Sequence, residues 1–481
     1  MRLSDLLDCE KGTAEVEVVG LSSDSRKVRP GYLFAALSGR TRDGITYIQD
    51  AVEQGAVAIL APPGTHIDET TVRLVVDANP RQMLARMAAR FHGRQPATVV
   101  AVTGTNGKTS VVSFTRQLWS AIGNNSASLG TLGVVADSFS AQLSHTTPEP
   151  VTLHALLADM ADRGINHLAI EASSHGLDQH RLDGVVIQAA AFTNLSRDHL
   201  DYHGDQESYF AAKKRLISEV MSNGVAVLNA DCNHFSDLNV VARRRGHQTI
   251  SYGLKGQEVK LVKVKPGSGG QDVEIELLGR RHKAWLPLVG AFQVSNVMCA
   301  LGLVVGGGVG PHEAAASISN LRGVDGRLDL VAKHSSGAPI YVDYAHTPGA
   351  LESVLIALRP HVTRSLWVIF GCGGGRDRGK RGEMGAVAQK YADRVIVTDD
   401  NPRDESPEVI RKAILDACPK AQEVSPRDEA IALAVDSLTS GDVLVVAGKG
   451  HEENQTIGSD VLPFNDGDVI RDILGSPGRV W

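Results

Sequence analysis

The segment Thr103-Gly104-Thr105-Asn106-Gly107-Lys108-Thr109-Ser110 has residue types and spacing suited to holding a phosphate chain. It follows an apolar run over 97–103 and precedes Val111, Phe114, Leu118 and Ile122 at helical spacing, which predicts a strand, a loop and a helix. Glycines let the backbone turn so that amides and the helix N-terminus face phosphate oxygens. Lys108 would then meet the β- and γ-phosphates, and the Thr109 hydroxyl would ligate Mg²⁺. The longer G-x-x-x-x-G-K-[ST] form needs glycine at position 102, where this chain has Val102. The rival reading, a glycine turn with an exposed lysine, does not use the flanking strand and helix. The loop predicts an ATP site.

Other reactive groups follow predicted strands. Glu171 closes a strand and precedes Ala172-Ser173-Ser174-His175-Gly176, and His199 lies in Asn194-Leu195-Ser196-Arg197-Asp198-His199. Lys213 begins the basic run Lys213-Lys214-Arg215. Taken alone, His199 reads as a hydrogen-bonded loop histidine and Lys213 as part of a solvated helix face. Asp400-Asn401-Pro402-Arg403 follows a strand over 394–398, so Arg403 sits where a carboxylate could be gripped by two parallel hydrogen bonds. Gly371-Cys372-Gly373-Gly374-Gly375-Arg376 offers a second arginine, and Gly448-Lys449-Gly450-His451-Glu452 a carboxylate.

The elements that must position these groups alternate in type. β-Branched runs over 97–103, 168–171, 189–194, 225–229, 340–343, 365–370, 394–398 and 443–447 are separated by helix-like stretches. This predicts an α/β protein with largely parallel sheets, whose ligands gather beyond the carboxyl ends of the strands. A helix is predicted over 80–92, and 260–270 reads as an exposed hairpin or loop. The expected division is 1–93, 94–327 and 328–481: an N-terminal part of short strands, a central P-loop mononucleotide-binding domain and a C-terminal Rossmann-like domain.

Composition narrows the class. The 481 residues are 42% hydrophobic and 22% charged, the balance of a soluble globular protein. A net charge of -6 argues against a general nucleic-acid binder. Cys9, Cys232, Cys299, Cys372 and Cys418 are odd in number, scattered and form no CxxC pair, as expected of reduced thiols. The start MRLSDLLDCE has no apolar signal core, and no run is long enough to span a membrane. A cytoplasmic chain without membrane insertion, acting as a monomer, is expected.

Several segments in order resemble the Mur ligase family: the GTNGKT loop, also similar to that of folylpolyglutamate synthases, Leu288–Asn296 (LVGAFQVSN), Gly326-Arg327 and Asp343–Pro348 (DYAHTP). Gln293 stands where the family more commonly has Asn. The resemblance implies an ATP-dependent, amide-forming ligase of peptidoglycan synthesis. ATP would phosphorylate a carboxylate, and an amine would displace phosphate from the acyl phosphate. ATP contacts are implied for Gly104, Thr105, Asn106, Gly107, Lys108, Thr109, Ser110, Asn296, Arg327, Asp343 and His346. Mg²⁺ ligands are implied at Thr109, Glu171 and His199, and at Lys213 once carbon dioxide has made it a carbamate.

The resemblance extends to both substrates. Ser23, Ser25 and the Arg40-Thr41-Arg42 loop match contacts to a UDP group, although a helix cap and a surface turn would also use these residue types. Thr146, Thr147, Ser173, Gln179 and Arg181 match positions that hold N-acetylmuramoyl-L-alanyl-D-glutamate, with His145 where Asn is common. DNPR resembles the motif that recognises meso-diaminopimelate, with Asp400, Asn401, Pro402, Arg403, Gly448 and Glu452 at its distal end and Arg376 at the reacting end. Lysine lacks the distal carboxylate, and lysine-adding relatives usually lack this arginine. The alternatives are a lysine-adding ligase, a folylpolyglutamate synthase-like ligase, and a nucleotide-binding regulatory protein on the same fold.

Overall fold

Alternate residues of the strand Thr98–Thr103 enter two different cores: Val100 and Val102 one, Val99 and Ala101 the other. A strand covered on both faces is the mark of a parallel sheet packed between helices, and it explains why the run is apolar without alternation. The computed structural model describes residues 1–7, 16–39, 43–67, 72–267 and 269–475. Among them, Thr98–Thr103 lies in an eleven-stranded sheet, between His167–Glu171 and Ala189–Phe192. From it the chain passes through the helix Lys108–Ala121 to Ser126–Gly130, returns to His167–Glu171, then crosses to Ala189–Phe192. The order of strands reverses at this point, so the loops after Thr103, Glu171 and Phe192 open onto one crevice.

The far edges of this sheet are antiparallel. Gly133–Ala136 and Phe139–Ala141 extend one edge, and Val259–Gly267, Gly270–Leu277 and Arg280–Leu286 the other. The stretch 260–267 is therefore the first arm of a hairpin, paired antiparallel with Gly270–Leu277. The helix Ala291–Gly306 is buried along most of its length and packs against Lys108–Ala121, which places Asn296 beside the phosphate loop.

A second sheet runs in the order Asp329–Lys333, Pro339–Asp343, Val443–Ala447, Leu366–Phe370, Arg394–Val397, Gln422–Glu423, parallel apart from its first pair. The DYAHTP, Gly371–Arg376, DNPR and GKGHE segments each follow the carboxyl end of one of its four inner strands. Four parallel strands thus gather four motifs at one edge. Near the N-terminus a four-stranded parallel sheet leads into the helix Pro80–His92, started by Asn79 Oδ1 accepting from Gln82 N and by Pro80 in the first turn.

Candidate active site

The phosphate loop is fixed from outside by the neighbouring strand end. Asn194 Oδ1 accepts from Asn106 N at 3.0 Å, Thr193 Oγ1 donates to Asn106 O at 2.6 Å, and Thr105 N donates to Asn194 O at 2.9 Å. Gly104 has φ +141°, and a Cβ there would lie 1.9 Å from Thr193 Oγ1, so only glycine fits. Thr109 and Ser110 are buried in the first turn of the following helix. Lys108 Nζ donates to Gly104 O at 3.0 Å and Thr105 O at 2.8 Å, folded over its own loop. Burial lowers its pKa, opposed by the negative charges of Glu171 and Asp198. Asn296 Oδ1 lies against Gly107, and its Nδ2 donates to Gln293 Oε1 at 3.1 Å. Gln293 in turn donates to Arg327 O at 3.3 Å, so the Gln in place of Asn joins Asn296 to the Gly326-Arg327 segment.

Glu171 is buried, and its two carboxylate oxygens accept from the Thr131 amide at 2.8 Å and hydroxyl at 3.1 Å. Lys213 is also buried, which removes the solvated-face reading. Its Nζ donates to Gly104 O at 2.7 Å, within the phosphate loop. Burial drives its pKa well below the usual lysine range, Lys108 pushes the same way, and Asp198 opposes. His199 Nε2 lies 3.5 Å from Asp198 Oδ2, and burial lowers its pKa to about 4. The Thr109 hydroxyl and Glu171 carboxylate are hard oxygen donors that suit Mg²⁺, whereas an unmodified Lys213 offers no ligand. Among the described residues no group of three or more His, Cys, Asp or Glu stands ready to hold an ion.

The C-terminal sheet closes onto this centre. Arg327 Nη2 donates to Thr109 Oγ1 at 3.1 Å, and its guanidinium lies 4.3 Å from the centre of the Tyr344 ring. Asp343 accepts from Leu328 N at 2.5 Å and Ala345 N at 2.7 Å, and burial raises its pKa to about 6. His346 Nδ1 donates to Tyr344 O at 2.9 Å, while its Nε2 stands 4.0 Å from Asp198 Oδ2.

The candidate dipeptide residues form one network. Thr147 Oγ1 donates to Glu171 O at 2.8 Å and lies 3.0 Å from Ser173 Oγ, and Arg181 Nη1 donates to Thr147 O at 2.7 Å. Gln179 accepts from Arg181 Nη2 at 2.8 Å, and Thr146 Oγ1 lies 3.3 Å from Thr131 Oγ1. Glu149 links this network to the N-terminal part: its Oε2 accepts from Ser23 Oγ at 3.2 Å and its Oε1 lies 3.8 Å from Arg181. Ser23, buried Ser25 and His145 line a cleft of about 1020 Å³ between the two parts. Asp24 does cap the short turn Ser25–Lys27, so the cap reading of this stretch also holds. Arg40, Thr41 and Arg42 lie outside the described residues.

Around DNPR the polar groups are already interlocked. Arg403 Nη1 donates to Gly374 O at 2.8 Å, and Asn401 Nδ2 donates to Glu452 Oε2 at 2.8 Å. Glu452 also accepts from the wholly buried Lys449 at 2.9 Å. Asp400 and Pro402 are buried, Gly448 N donates to Asp343 O at 3.0 Å, and Arg376 is exposed.

Three family models cover the chain in turn: "Mur ligase family, catalytic domain" at 17–92, "Mur ligase middle domain" at 102–304 and "Mur ligase, glutamate ligase domain" at 326–450. The chain is 48% identical over 463 residues to the UDP-N-acetylmuramoyl-L-alanyl-D-glutamate--2,6-diaminopimelate ligase of Rhizobium meliloti (strain 1021), covering 96% of this chain and 95% of that protein. The ligase of the same name from Mesorhizobium japonicum is 48% identical over 479 residues, covering 98% and 99%. The chain belongs to the Mur ligase family. A solved 2,6-diaminopimelate ligase of the same name superposes with a TM-score of 0.72 at 32% identity, covering 99% of each chain. A Mycobacterium tuberculosis folylpolyglutamate synthase shares the fold, with a TM-score of 0.66 at 18% identity, covering 83% of this chain and 96% of that one.

In this Mur ligase, three residues at the site escaped the sequence reading. Asp198 faces His199, His346, Lys380 and Lys108 together; its place directly before His199 was the available signal. Glu149 joins the two substrate regions, and Lys449 fills the middle of GKGHE. A backbone signal also marks the site. Of the five non-glycine residues with positive φ among those described, His180, His199, Leu328 and Arg403 either are candidate residues or adjoin one. Such conformations cost of order 1–3 kcal/mol each and gather at functional sites.

Proposed function

We infer that the chain is an ATP-dependent ligase that adds meso-diaminopimelate to the D-glutamate of UDP-N-acetylmuramoyl-L-alanyl-D-glutamate in peptidoglycan synthesis. The observation that carries this reading is the joining of three regions at one centre: Arg327 reaches Thr109 of the phosphate loop, Thr147 reaches Glu171, and Arg197, close to that loop, reaches Asp377 beside Arg376. A nucleotide, an anionic acceptor and an amino acid would therefore meet there. The full-length likeness to diaminopimelate ligases supports the choice of amino acid.

The chemistry follows from charge. Transfer of the γ-phosphoryl group to a carboxylate brings anions together, so cations must be in place beforehand. Lys108 and Arg327 supply fixed positive charge, and Lys108 would exchange its loop carbonyls for phosphate oxygens. Mg²⁺, when bound by Thr109, Glu171 and His199, offsets further charge on the phosphoryl oxygens. Arg181, Gln179, Ser173, Thr146 and Thr147 would orient the muramoyl dipeptide, and Ser23, Ser25 and residues 40–42 its UDP end. Asn296, Asp343 and His346 would complete the nucleotide pocket on either side of Gly326-Arg327. The incoming amine then attacks the acyl phosphate, and phosphate leaves with its oxygen.

Lys213 suits carbamate formation because its buried amine is held neutral more readily than a solvated one, and only a neutral amine attacks carbon dioxide. The carbamate would add an anion able to help hold a second Mg²⁺. Arg376 and Arg403 would bind the two carboxylates of diaminopimelate, and Glu452 its distal ammonium after release from Lys449 or Asn401. A division at 93 and 327, a cytoplasmic location and a monomeric state belong to the same reading. No helix among the described residues is long and apolar enough to cross a membrane. The test is ATP-dependent ligation with meso-diaminopimelate, lysine and ornithine in parallel. Preferred use of diaminopimelate is expected, and equal use of lysine would overturn the substrate assignment.

A further inference from the structure

Glu405 stands two residues beyond Arg403 and belongs to no motif used above. Its Oε1 accepts from Gly375 N at 2.7 Å and from Arg381 Nη2 at 3.1 Å, and its Oε2 accepts from Arg381 Nη2 at 3.1 Å. Arg378 approaches the same Oε2 at 3.4 Å. Gly375 is the residue before Arg376. One carboxylate therefore ties the loop bearing Arg403 to the loop bearing Arg376.

The same two loops are joined twice more. Gly374 N donates to Asn401 O at 2.9 Å, and Arg403 Nη1 donates back to Gly374 O at 2.8 Å. They run so close that a Cβ on Gly374 would lie 1.9 Å from Pro402 O. Arg381 is 3% exposed and Glu405 16%, so the clamp is shielded where the two side chains meet. The amide of Gly375 holds the Glu405 carboxyl below the usual carboxylate range, which keeps it ionised at neutral pH.

We propose that the Glu405–Arg381 clamp is a positioning device that fixes the separation between Arg376 and Arg403, so that the site measures the distance between two carboxylates of one amino acid. The inference rests on the reading of those arginines as carboxylate binders. A substrate with carboxylates at both ends satisfies both arginines only if their spacing is held. A monocarboxylate such as lysine engages one arginine and is indifferent to the spacing. Freeing the two loops from each other therefore penalises the dicarboxylate selectively. An ångström of misplacement at a binding group costs about 10²-fold.

The experiment compares wild type with Glu405→Gln, which keeps the side-chain length and removes the charge that holds Arg381. For wild type and variant, kcat/KM is measured with meso-diaminopimelate and with lysine, along with KM for ATP and for the UDP-dipeptide. The expected result is a fall of about 10²-fold for diaminopimelate, a much smaller change for lysine, and unchanged KM for the other two substrates. An unchanged ratio between the two amino acids, or equal losses for both, overturns the clamp. Wild-type enzyme that prefers lysine would instead overturn the underlying assignment, so the two failures are distinct. If Glu405→Gln does not fold, Glu405→Asp, one methylene too short to span Gly375 and Arg381 together, is read against the same outcomes.

Discussion

Arg197 of the central domain grips Asp377 of the C-terminal domain through two hydrogen bonds, Nε to Oδ2 at 3.0 Å and Nη2 to Oδ1 at 3.2 Å. Its Nη1 adds Glu383 Oε1 at 2.9 Å. Arg197 follows Ser196, whose amide donates to Thr105 Oγ1 of the phosphate loop at 3.0 Å, and Asp377 follows Arg376. The phosphate loop and the loop bearing Arg376 are thus mechanically continuous across the domain boundary.

This pair is half exposed, so it adds at most about 1 kcal/mol to stability. Its effect on activity should be larger, because it sets where one domain meets the other. Arg197→Glu is expected to lower kcat/KM for the amino acid by on the order of tenfold or more with little change in melting temperature. Adding Asp377→Arg should recover part of that loss. A double variant no better than the single one would count against the link.

Lys213 offers a chemical test of a different kind. Lys213→Ala is expected to lose activity by about 10²-fold, the scale seen when groups around a metal site are removed. A short carboxylic acid added to the assay should restore part of it by supplying the missing anion. A fully active alanine variant would refute a carbamate at this position.

The legible parts of the chain were those in which a local pattern and its tertiary use agree. Val225–Asn229 and Val443–Ala447 are β-branched runs that also become buried inner strands, so their bounds follow from composition. Ser126–Gly130 (SASLG) carries little strand propensity and became a strand by pairing with His167–Glu171, a partner remote in sequence. The site divides in the same way. Lys108, Glu171 and Arg403 stand in distinctive segments at or just beyond strand ends, which local sequence displays. The burial of Lys213 against Gly104, and the pairing of Asp198 with His346, depend on residues more than a hundred positions apart.

Acid should weaken the fold through histidines buried in neutral form. His154 is 3% exposed, its Nε2 has no hydrogen-bond partner among the described residues, and burial lowers its pKa from 6.5 to about 4. Between those values the unfolded chain binds a proton that the folded chain refuses. Stability from this group is therefore full above pH 6.5 and declines as pH falls toward 4, by up to about 3 kcal/mol. His154→Leu should show a shallower loss of melting temperature between pH 7 and pH 5 than wild type. His175 and His199 keep some acid sensitivity in the variant, since burial lowers both to about 4. Parallel pH profiles would rule out His154 as a contributor.

The proposed choice between amino acids rests on Arg403. Its backbone is in the left-handed region at φ +51°, held by Arg403 N donating to Thr456 O at 3.1 Å and Gly458 N donating to Arg403 O at 2.8 Å. The strain is supported by the hairpin Asn454–Ile457 and Asp460–Pro463, which gives the guanidinium a fixed origin. Arg403→Lys keeps the charge but loses the planar fork that matches a carboxylate. Losing one hydrogen bond to a charged partner costs about 1.5–3 kcal/mol, so kcat/KM for diaminopimelate should fall by roughly 10- to 10²-fold. Lysine has no carboxylate at that end, and its use should change little. Parallel assays of the two amino acids separate the cases, because a loss shared equally by both would mean that Arg403 supports the loop and does not read the substrate.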